Sequence, residues 1–491
     1  MTLTFSQLTS TAGLDVIRGA DADITAITSD SREAGPGACF IAIRGYDTDG
    51  HKHIAKAVEA GAAAIVYQDE SFAGDIPPAT PCARAGDSRR ACASVAARFN
   101  GHPSNDLVIA GVTGTNGKTT TVLLIEALMT GQGHKTATLG TLGRSFAGIT
   151  ETISRTTPDS IELQSTFAQF RDAGASHVAM EVSSHALSLH RTWETKFDVA
   201  CFTNLSQDHL DFYDGSMDAY LAAKTVLFTD YAPDAAAINI DDEAGRVILG
   251  ATAARPITYA VEAPDADVRA EGVSFSPNGA TFTLVAAGER EPVDFPLVGR
   301  FNVYNALAAA ATALALGFPL RDIARDLGRA PVVPGRFEPI SEGQSFLVAC
   351  DYAHTPDALV NVLRAARQVT QGRLLCVFGC GGDRDKTKRP LMAEAVCEAA
   401  DVAIVTADNP RSEDPLDIIA DMAPGLRADR RDVHIEPDRR KAIELGVALC
   451  EPGDTLMVCG KGHEPYQEFA HETIHFDDRE EARKALQARA K

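Results

Sequence analysis

The chain has 491 residues, with 67 Asp or Glu against 46 Lys or Arg, and therefore a formal net charge of −21 at pH 7. This acidic surplus argues against a nucleic-acid partner, because attraction to phosphate backbones needs a basic field. Its 45% hydrophobic and 23% charged residues are typical of packed proteins rather than disordered ones. At roughly 150 residues per domain, the length predicts about three domains.

Two further features lead us to expect a cytoplasmic protein without membrane insertion. The chain start lacks the basic segment and apolar run of a signal peptide, and the apolar stretch 306–318 is too short to span a bilayer. The ten Cys residues show no paired zinc-ligand spacing, so we expect reduced thiols rather than disulfides or metal ligands.

The first predicted domain covers residues 1–105 and ends at a break around Gly101 and Pro103. Its hydrophobic patterns predict a strand, a helix and a second strand at 38–44, 51–60 and 63–67. We therefore expect a small N-terminal α/β domain.

The second predicted domain covers residues 106–333 and opens with an apolar strand, a Gly/Thr-rich loop and a helical pattern. Further strands are predicted at 177–182, 198–203 and 236–240, and a helix at 302–316. Between 267 and 297, alternating hydrophobic residues surround the hairpin signal Pro277-Asn278-Gly279. The pattern predicts a P-loop ATPase-like parallel sheet with a small antiparallel part.

The third predicted domain covers residues 334–491 and follows two prolines, Pro331 and Pro334, that predict a hinge. Strands are predicted at 345–350, 373–378, 402–406 and 455–459, with helices at 359–367, 390–399, 416–422 and 439–448. This alternation predicts right-handed crossovers and a Rossmann-like, doubly wound parallel sheet. The fold class is therefore α/β throughout.

The segment GTNGKTT lies between a predicted strand and a predicted helix, which is the context of a phosphate-binding P-loop. Backbone N–H groups and a helix N-terminus would face the phosphates, with Lys118 offsetting their charge and Thr119 placed to hold Mg²⁺. The strict pattern needs Gly where Val112 stands, and the competing interpretation is a Gly-rich turn with an exposed Lys. The agreement of strand, loop, Lys and paired Thr favours ATP binding, by Gly114, Thr115, Asn116, Gly117, Lys118, Thr119 and Thr120.

Two other polar residues follow predicted strands of the same domain. Glu181 ends the strand HVAMEV, and His209 lies in DHLD after DVACFTN. Both would lie at the carboxyl edge of a parallel sheet, where α/β ligand sites form. Either residue taken alone is more often structural, but together with the P-loop they indicate Mg²⁺ binding.

Four strands of the third domain are each followed by an unusual polar sequence: DYAHTP, GCGGDRDK, DNPR and GKGHE. Such loops converge at one edge of a doubly wound sheet. Any one of them could be simple turn chemistry, but four together predict a ligand site. GCGGDR does not match G-x-G-x-x-G, so a nicotinamide site is disfavoured.

The motifs GTNGKTT, EVSSHALSLHR, NLSQDHLDFY, AYLAAK, GRFNVYNALAA, PGRFE and DYAHTPDAL occur in the order found in the Mur ligase family, which the chain resembles over its whole length. The later GGDRDKTKRP, DNPR and GKGHE resemble the branch of that family that adds meso-diaminopimelate. Folylpolyglutamate synthetases share the general pattern but not the DNPR set.

This resemblance implies an ATP-dependent, amide-forming ligase of peptidoglycan precursor synthesis. Its substrates would be UDP-N-acetylmuramoyl-L-alanyl-D-glutamate and meso-diaminopimelate, and its cofactor Mg²⁺. The D-glutamate carboxylate would attack the ATP γ-phosphate to give an acyl phosphate, which the amine would then displace. We expect a monomer.

The resemblance also assigns catalytic residues and nucleotide contacts. Lys118, His209 and Lys224 would be catalytic, with Lys224 converted by carbon dioxide to an anionic carbamate. The metal-ligating set would be Thr119, Glu181, His209 and the modified Lys224. Asn302 would contact adenine, Asp351 the ribose and Arg336 the phosphates. Without the resemblance, Lys224 is an ordinary helix lysine, Asn302 a helix cap, Asp351 a strand-end turn and Arg336 a surface charge.

The first two domains would hold the UDP-linked substrate. The implied contacts are Ser31, Tyr46, Asp47 and Thr48 for the uridine end, and Thr156, Thr157, Ser183 and Arg191 for the muramoyl-peptide part. Leu189 stands where the family often has Gln, which weakens this part of the contact map.

The third domain would select the amino acid. The expected contacts are Arg389, Asp408, Asn409, Pro410, Arg411, Gly460 and Glu464. Arg411 could grip the distal carboxylate in a bidentate fork with help from Arg389, while Asp408 and Glu464 suit the ammonium. L-lysine lacks that carboxylate and would leave Arg411 unpaired, so we predict selection of meso-diaminopimelate over lysine.

Two other classes of function remain open from the residues alone. A P-loop kinase would stop at phosphoryl transfer to a small acid and would not need an amine. A non-catalytic nucleotide-sensing scaffold is disfavoured because it would not need five residues together: Lys118, Thr119, Glu181, His209 and Lys224.

Overall fold

The computed structural model describes residues 2–10, 14–18, 21–45, 48–426 and 432–489. Within these residues it contains three main β-sheets flanked by helices, one in each region that the sequence distinguished. No helix among them is long and apolar enough to cross a membrane.

The N-terminal sheet has five strands, and all but one of its neighbouring pairs are parallel. In spatial order they are Leu14–Arg18, Cys82–Ala85, Ala64–Tyr67, Ala38–Ile41 and Ala26–Thr28. The strands Leu3–Thr4 and Asp23–Ile24 form a separate pair. The helices are Phe5–Thr9, Ile54–Glu59 and Ser88–Phe99, with 3-10 turns at Gly50–His53, Glu70–Asp75 and Pro103–Asp106.

The central sheet has eleven strands and is parallel through its middle. In spatial order they are Ile149–Glu151, Gly143–Phe146, Thr136–Gly140, His177–Glu181, Val108–Thr113, Val199–Phe202, Ala235–Asn239, Arg255–Ala260, Val268–Ser276, Gly279–Ala286 and Glu289–Phe295. The helices are Lys118–Gly131, Ser160–Asp172, Ser184–Ser188, Met217–Thr229, Glu243–Ala251, Arg300–Ala315 and Leu320–Leu327.

The antiparallel part of this sheet is larger than the sequence predicted. The expected hairpin continues the same sheet and is followed by a third strand, Glu289–Phe295. A second hairpin, Gly143–Phe146 with Ile149–Glu151, extends the opposite edge. The residues of Ile149–Glu151 are all exposed, so no alternation of apolar and polar residues predicts that strand.

The C-terminal sheet has six strands, of which all but the first neighbouring pair are parallel. In spatial order they are Glu338–Pro339, Leu347–Asp351, Thr455–Cys459, Leu374–Phe378, Val402–Val405 and Val433–Ile435. The helices are Pro356–Val369, Lys388–Ala399, Pro415–Met422, Arg439–Leu449 and Asp478–Arg489, with a 3-10 turn at Ala423–Gly425 and a hairpin of Tyr466–Glu468 and Thr473–His475.

Alternation along these strands explains why both faces of the C-terminal sheet are covered. In Leu374–Phe378, the side chains of Leu374, Cys376 and Phe378 enter one apolar cluster, and Leu375 and Val377 enter another. Successive strand residues point to opposite faces, so a continuously apolar strand needs helices on both sides. The carboxyl ends of the strands remain free to carry polar loops.

Candidate active site

The P-loop connects the strand Val108–Thr113 to the helix Lys118–Gly131. Gly117 has φ 86°, and a Cβ there would lie 2.3 Å from Asn305 Oδ1, so the turn requires glycine. Lys118 Nζ donates to the carbonyl oxygens of Gly114, at 2.9 Å, and Thr115, at 2.8 Å. Burial lowers the pKa of Lys118. The loop therefore has the tight backbone turn and the positive charge that binding of a phosphate chain needs.

Glu181 ends the strand next to the P-loop strand and is 1% exposed. Its Oε1 accepts hydrogen bonds from Thr119 Oγ1, at 2.9 Å, and from the Thr141 backbone N–H, at 2.8 Å. Its Oε2 accepts a third from Thr141 Oγ1, at 3.2 Å. The expected pair of oxygen ligands, Thr119 and Glu181, is therefore brought together, and this donor set fits Mg²⁺.

Lys224 lies in the helix Met217–Thr229 and is 1% exposed, unlike the solvated lysine that its sequence context suggests. Its Nζ donates to the Gly114 carbonyl oxygen at 2.9 Å and lies 4.3 Å from the centre of the Tyr220 ring. Burial, and then the nearby Lys118 charge, lower its pKa well below the ordinary value. Such a group favours the neutral, nucleophilic amine.

His209 is more exposed than the other expected metal ligands, with 49% of its side chain accessible. Its residue adopts a left-handed conformation, with φ 54°, and its Nε2 lies 3.4 Å from Asp208 Oδ2. Burial lowers the pKa of His209, and the charges of Lys118 and Lys224 act in the same direction. Among the described residues, no three His, Cys, Asp or Glu side chains converge as a metal cluster. Thr119 and Glu181 would be the oxygen ligands of a metal here, and His209 lines the same cavity.

The first cavity, of about 630 Å³, lies between the P-loop and the C-terminal domain. Asn305 and Tyr304 of the helix Arg300–Ala315 line it, but Asn302 does not. Asn302 is 1% exposed, and its amide is held by the Val298 carbonyl oxygen at 2.8 Å and by Asn305 Nδ2 at 3.1 Å. The structure thus gives no support to the expected adenine contact by Asn302. Sequence reasoning missed Asn305, three residues further along the same helix.

The C-terminal domain reaches this cavity through Arg336 and Asp351. Arg336 stacks on the Tyr352 ring at 4.5 Å, and its Nη2 lies 3.4 Å from Thr119 Oγ1. Asp351 accepts backbone N–H bonds from Phe337 and Ala353, each at 2.7 Å, and burial raises its pKa. Both residues line the cavity beside the P-loop, and their contacts with ribose and phosphate stay predictions.

The second cavity, of about 950 Å³, lies beside the first and between the central and C-terminal domains. The central domain contributes the expected residues Thr156, Thr157, Ser183 and Arg191. The C-terminal domain contributes the expected residues Asp408, Asn409, Arg411, Gly460 and Glu464. We call the residues that line both cavities the junction. They are Thr156, Ser183, Asp208, His209, Tyr352, His354, Thr355 and Asp357.

The acidic end of the second cavity is organised around a buried lysine that sequence reasoning missed. Lys461 is 0% exposed, and its Nζ donates to Asn409 Oδ1 at 2.6 Å. It lies 3.6 Å from Asp408 Oδ1 and 3.8 Å from Glu464 Oε2. Burial, and then the neighbouring Asp408, raise the pKa of Glu464. Lys461 belongs to the motif GKGHE, and this motif could have identified it from the sequence.

Arg411 follows Pro410 in a left-handed conformation, with φ 53°, and lines the second cavity. Its Nε donates to Glu468 Oε2 at 3.0 Å and its Nη1 to the Gly382 carbonyl oxygen at 2.8 Å. These bonds fix the plane of the guanidinium at the cavity wall, beside the acidic end. The arrangement suits a ligand that carries a carboxylate next to an ammonium.

Arg389, which the sequence assigned to amino-acid binding either directly or in support of Arg411, lines neither cavity. Arg389 is 0% exposed, and its guanidinium donates to Glu413, at 2.7 and 3.0 Å, and to Asp421, at 2.8 Å. Arg389 therefore connects neighbouring loops through these hydrogen bonds and does not reach the cavity. The cations of the same motif that do line the cavity are Arg384 and Lys388.

The residues expected at the UDP-linked substrate are only partly brought together. Thr157 Oγ1 donates to the Glu181 carbonyl oxygen at 2.9 Å, and Arg191 Nη1 donates to the Thr157 carbonyl oxygen at 3.2 Å. Ser31 is 8% exposed and lines neither cavity, and Thr48 is exposed. Tyr46 and Asp47 lie outside the described residues.

Comparison with known proteins was made against families, curated sequences and solved structures. Residues 23–99, 112–313 and 335–462 match the families described as Mur ligase family, catalytic domain; Mur ligase middle domain; and Mur ligase, glutamate ligase domain. The chain is 44% identical to the UDP-N-acetylmuramoyl-L-alanyl-D-glutamate–2,6-diaminopimelate ligase of Halalkalibacterium halodurans, over 99% of each chain. It is 43% identical to the protein of the same name in Synechocystis, over 94% of this chain and 92% of that relative.

Solved structures show the same likeness. A structure of a UDP-N-acetylmuramoyl-L-alanyl-D-glutamate–2,6-diaminopimelate ligase matches with a TM-score of 0.72 and 33% identity, over 100% of both chains. MurF from Acinetobacter baumannii matches with a TM-score of 0.65 at 19% identity, over 100% of this chain and 98% of that one, which shows a shared fold alone.

Proposed function

The chain belongs to the Mur ligase family, and we propose that it is the ATP-dependent ligase that adds meso-diaminopimelate to UDP-N-acetylmuramoyl-L-alanyl-D-glutamate in peptidoglycan precursor synthesis. The observation that carries this proposal is the junction of the two cavities. A P-loop lies on one side of it, and Arg411 with Glu464 on the other. An acid activated at the P-loop would therefore meet an amine from the second cavity.

The first step brings a carboxylate against the ATP γ-phosphate, so like charges must be offset. Lys118 would exchange its bonds to the Gly114 and Thr115 carbonyl oxygens for phosphate oxygens. Thr119 and Glu181 would hold Mg²⁺, which supplies positive charge to the phosphates. Arg336, 3.4 Å from Thr119 Oγ1, would contact the phosphates from the C-terminal domain. His209, at the junction, would face the same ion.

Lys224 would act as a carbamate. A protonated lysine so close to Lys118 and a divalent cation would be strongly disfavoured, whereas its lowered pKa favours the neutral amine that reacts with carbon dioxide. The carbamate would add an anionic oxygen donor to the pair Thr119 and Glu181.

The amino acid would bind at the acidic end of the second cavity. Asp408 and Glu464 would receive the distal ammonium, and Arg411 the distal carboxylate next to it. Asp408 Oδ1 is buried, makes no hydrogen bond and lies 3.6 Å from Lys461 Nζ, so Lys461 would share this carboxylate with the ammonium of the ligand. Arg384 and Lys388 also line this cavity and suit the second carboxylate of the amino acid. L-lysine has no distal carboxylate, so Arg411 would keep only its bonds to Glu468 and Gly382 and would gain no contact with the ligand.

The UDP-linked substrate would extend from the junction towards the N-terminal domain. Arg191, with Thr156, Thr157 and Ser183, would hold its muramoyl-peptide part. Ser31, Tyr46, Asp47 and Thr48 would hold the uridine end. We place the domain boundaries after residues 105 and 333, and we propose a cytoplasmic monomer.

A phosphate-release assay tests the proposed function. ATP, the UDP-linked substrate and meso-diaminopimelate are expected to give phosphate only when all three are present. Replacing meso-diaminopimelate with L-lysine should lower kcat/KM by up to about 10⁴-fold. Stable phosphorylated product without an amine would indicate a kinase instead, and ATP binding without turnover would indicate a sensing scaffold.

A further inference from the structure

The junction between the cavities contains an imidazole that the proposed chemistry has not used. His354 lines both cavities and lies between the strand Leu347–Asp351 and the helix Pro356–Val369. An acyl phosphate formed at the P-loop and an amine held beside Arg411 would meet at this junction. This inference rests on the proposed function.

The orientation of the ring is fixed by a hydrogen bond. His354 Nδ1 lies 2.7 Å from the Tyr352 carbonyl oxygen. A carbonyl oxygen only accepts, so Nδ1 carries the proton, and in the neutral ring Nε2 keeps its lone pair. No hydrogen bond joins Nε2 to any of the described residues. The free nitrogen is therefore available to a ligand in the junction.

Burial and the charge of Lys388 lower the pKa of His354, while the Tyr352 carbonyl and Asp208 act in the opposite direction. The balance keeps the imidazole neutral at neutral pH. Asp208, which also lines the junction, provides a carboxylate that offsets positive charge on the ring after proton transfer.

The other titratable side chains of the junction are less suited to take a proton. Tyr352 donates its hydroxyl to Glu464 at 3.3 Å, and Asp357 accepts from Asn116 Nδ2 at 3.0 Å. Asp208 has a lowered pKa through His209 and His354, despite its burial, and is a weaker base than imidazole. His209 is assigned to the metal. His354 is the remaining candidate among the residues that line both cavities.

We propose that His354 Nε2 is the general base of the amide-forming step. The unprotonated amine attacks the carbonyl carbon of the acyl phosphate, forming a C–N bond while the carbonyl electron pair moves to oxygen. Nε2 takes a proton from the nitrogen of this adduct. The carbonyl re-forms, the bond between carbon and the phosphate oxygen breaks, inorganic phosphate leaves, and the imidazolium returns its proton to solvent.

The test compares two acceptors in the variant His354→Asn, which can keep a donor towards the Tyr352 carbonyl oxygen but has no Nε2. With meso-diaminopimelate, amide formation should fall by about 10²–10⁴-fold, the usual contribution of a general base. With hydroxylamine, which yields an adduct that loses its proton readily, hydroxamate formation should stay within a few-fold of wild type. His102→Asn is the matched control, because His102 lies outside both cavities and Asn tolerates its left-handed conformation, with φ 49°.

Amide formation within about ten-fold of wild type in His354→Asn would overturn the assignment, since a general base contributes more than that. Equal loss of both products in His354→Asn and His354→Gln would also overturn it, because the ring would then serve binding or folding. If wild-type protein forms hydroxamate but no amide with meso-diaminopimelate, the proposed function fails first, and this result is separate from any effect of His354.

Discussion

At the scale of single residues, selection of the amino acid depends on a guanidinium held in place before the ligand arrives. Arg411 is fixed by Glu468 Oε2 at 3.0 Å and by the Gly382 carbonyl oxygen at 2.8 Å. Arg411→Ala should lower kcat/KM for meso-diaminopimelate by about 10–100-fold, since a charged hydrogen bond contributes about 1.5–3 kcal/mol. The value for L-lysine should change little. Arg290→Ala, at an exposed ion pair with Glu271, is the control, and an equal loss for both amino acids would contradict this role.

Lys224 shows how burial changes the chemistry of an ordinary-looking residue. Its Nζ is enclosed by the Gly114 carbonyl oxygen and the Tyr220 ring. Lys224→Ala should lose most activity, and added small carboxylates should restore part of it by replacing the carbamate oxygen. The exposed helix residue Lys441 gives the control Lys441→Ala. Near-wild-type turnover of Lys224→Ala without any added acid would exclude the carbamate.

The raised pKa of Glu464 predicts how binding of the amino acid depends on pH. Burial and Asp408 raise its pKa, so it becomes protonated at a higher pH than an exposed glutamate. A protonated Glu464 cannot pair with an ammonium, and KM for meso-diaminopimelate should therefore rise as pH falls through the raised pKa. Glu464→Gln should have a high KM that varies less over this range. An unchanged pH profile in Glu464→Gln would assign the dependence to another group.

At the scale of elements, two strand-end loops of the amino-acid site are joined by a buried ion pair. Arg439 Nη2 lies 2.7 Å from Asp478 Oδ2, and both side chains are fully buried. Arg439 also donates to the carbonyl oxygens of Ala407, at 3.2 Å, and Cys459, at 3.0 Å, which directly precede Asp408 and Gly460. The pair thus sets the spacing between the two loops.

Removing one partner should destabilise the fold because it leaves a buried charge. Asp478→Asn should lower the free energy of unfolding by about 3–5 kcal/mol. Glu271→Gln breaks an exposed pair with Arg290 and should cost no more than about 1 kcal/mol. Denaturant unfolding measures both, and equal effects would mean that the buried pair contributes no more than a surface pair.

The sequence predicted the elements better than the positions of individual side chains. Continuous apolar strands followed by polar loops identify a parallel sheet. Helices cover both faces of such a sheet, so its strands are apolar throughout, and ligands bind at its carboxyl edge, so the loops there are polar. Arg384 and Arg389 stand five residues apart in one motif, yet Arg384 lines the second cavity, whereas Arg389, in the helix that begins at Lys388, is buried. Asn302 and Asn305 lie on one face of the same helix and are hydrogen-bonded to each other, yet only Asn305 lines the first cavity. Such choices depend on tertiary packing rather than on local pattern.

At the scale of the whole molecule, the net charge of −21 does not prevent cations from lying where anions would bind. The cavities have a mixed lining, in which carboxylates stand beside the cations Lys118, Arg191, Arg336, Arg384, Lys388 and Arg411. The central and C-terminal domains also touch at the P-loop, where Asn116 Nδ2 donates to Asp357 at 3.0 Å. Anionic substrates would therefore enter between domains, where a few fixed cations act at short range.

Transfer of isotopic oxygen tests the central claim most directly. The UDP-linked substrate is prepared with ¹⁸O in its D-glutamyl carboxylates and incubated with ATP and meso-diaminopimelate. Because the attacking carboxylate oxygen leaves with the phosphate, the account predicts one ¹⁸O in each phosphate released, together with a product heavier by one diaminopimelyl residue. Unlabelled phosphate, or labelled phosphate without the amide product, would contradict an acyl-phosphate ligase.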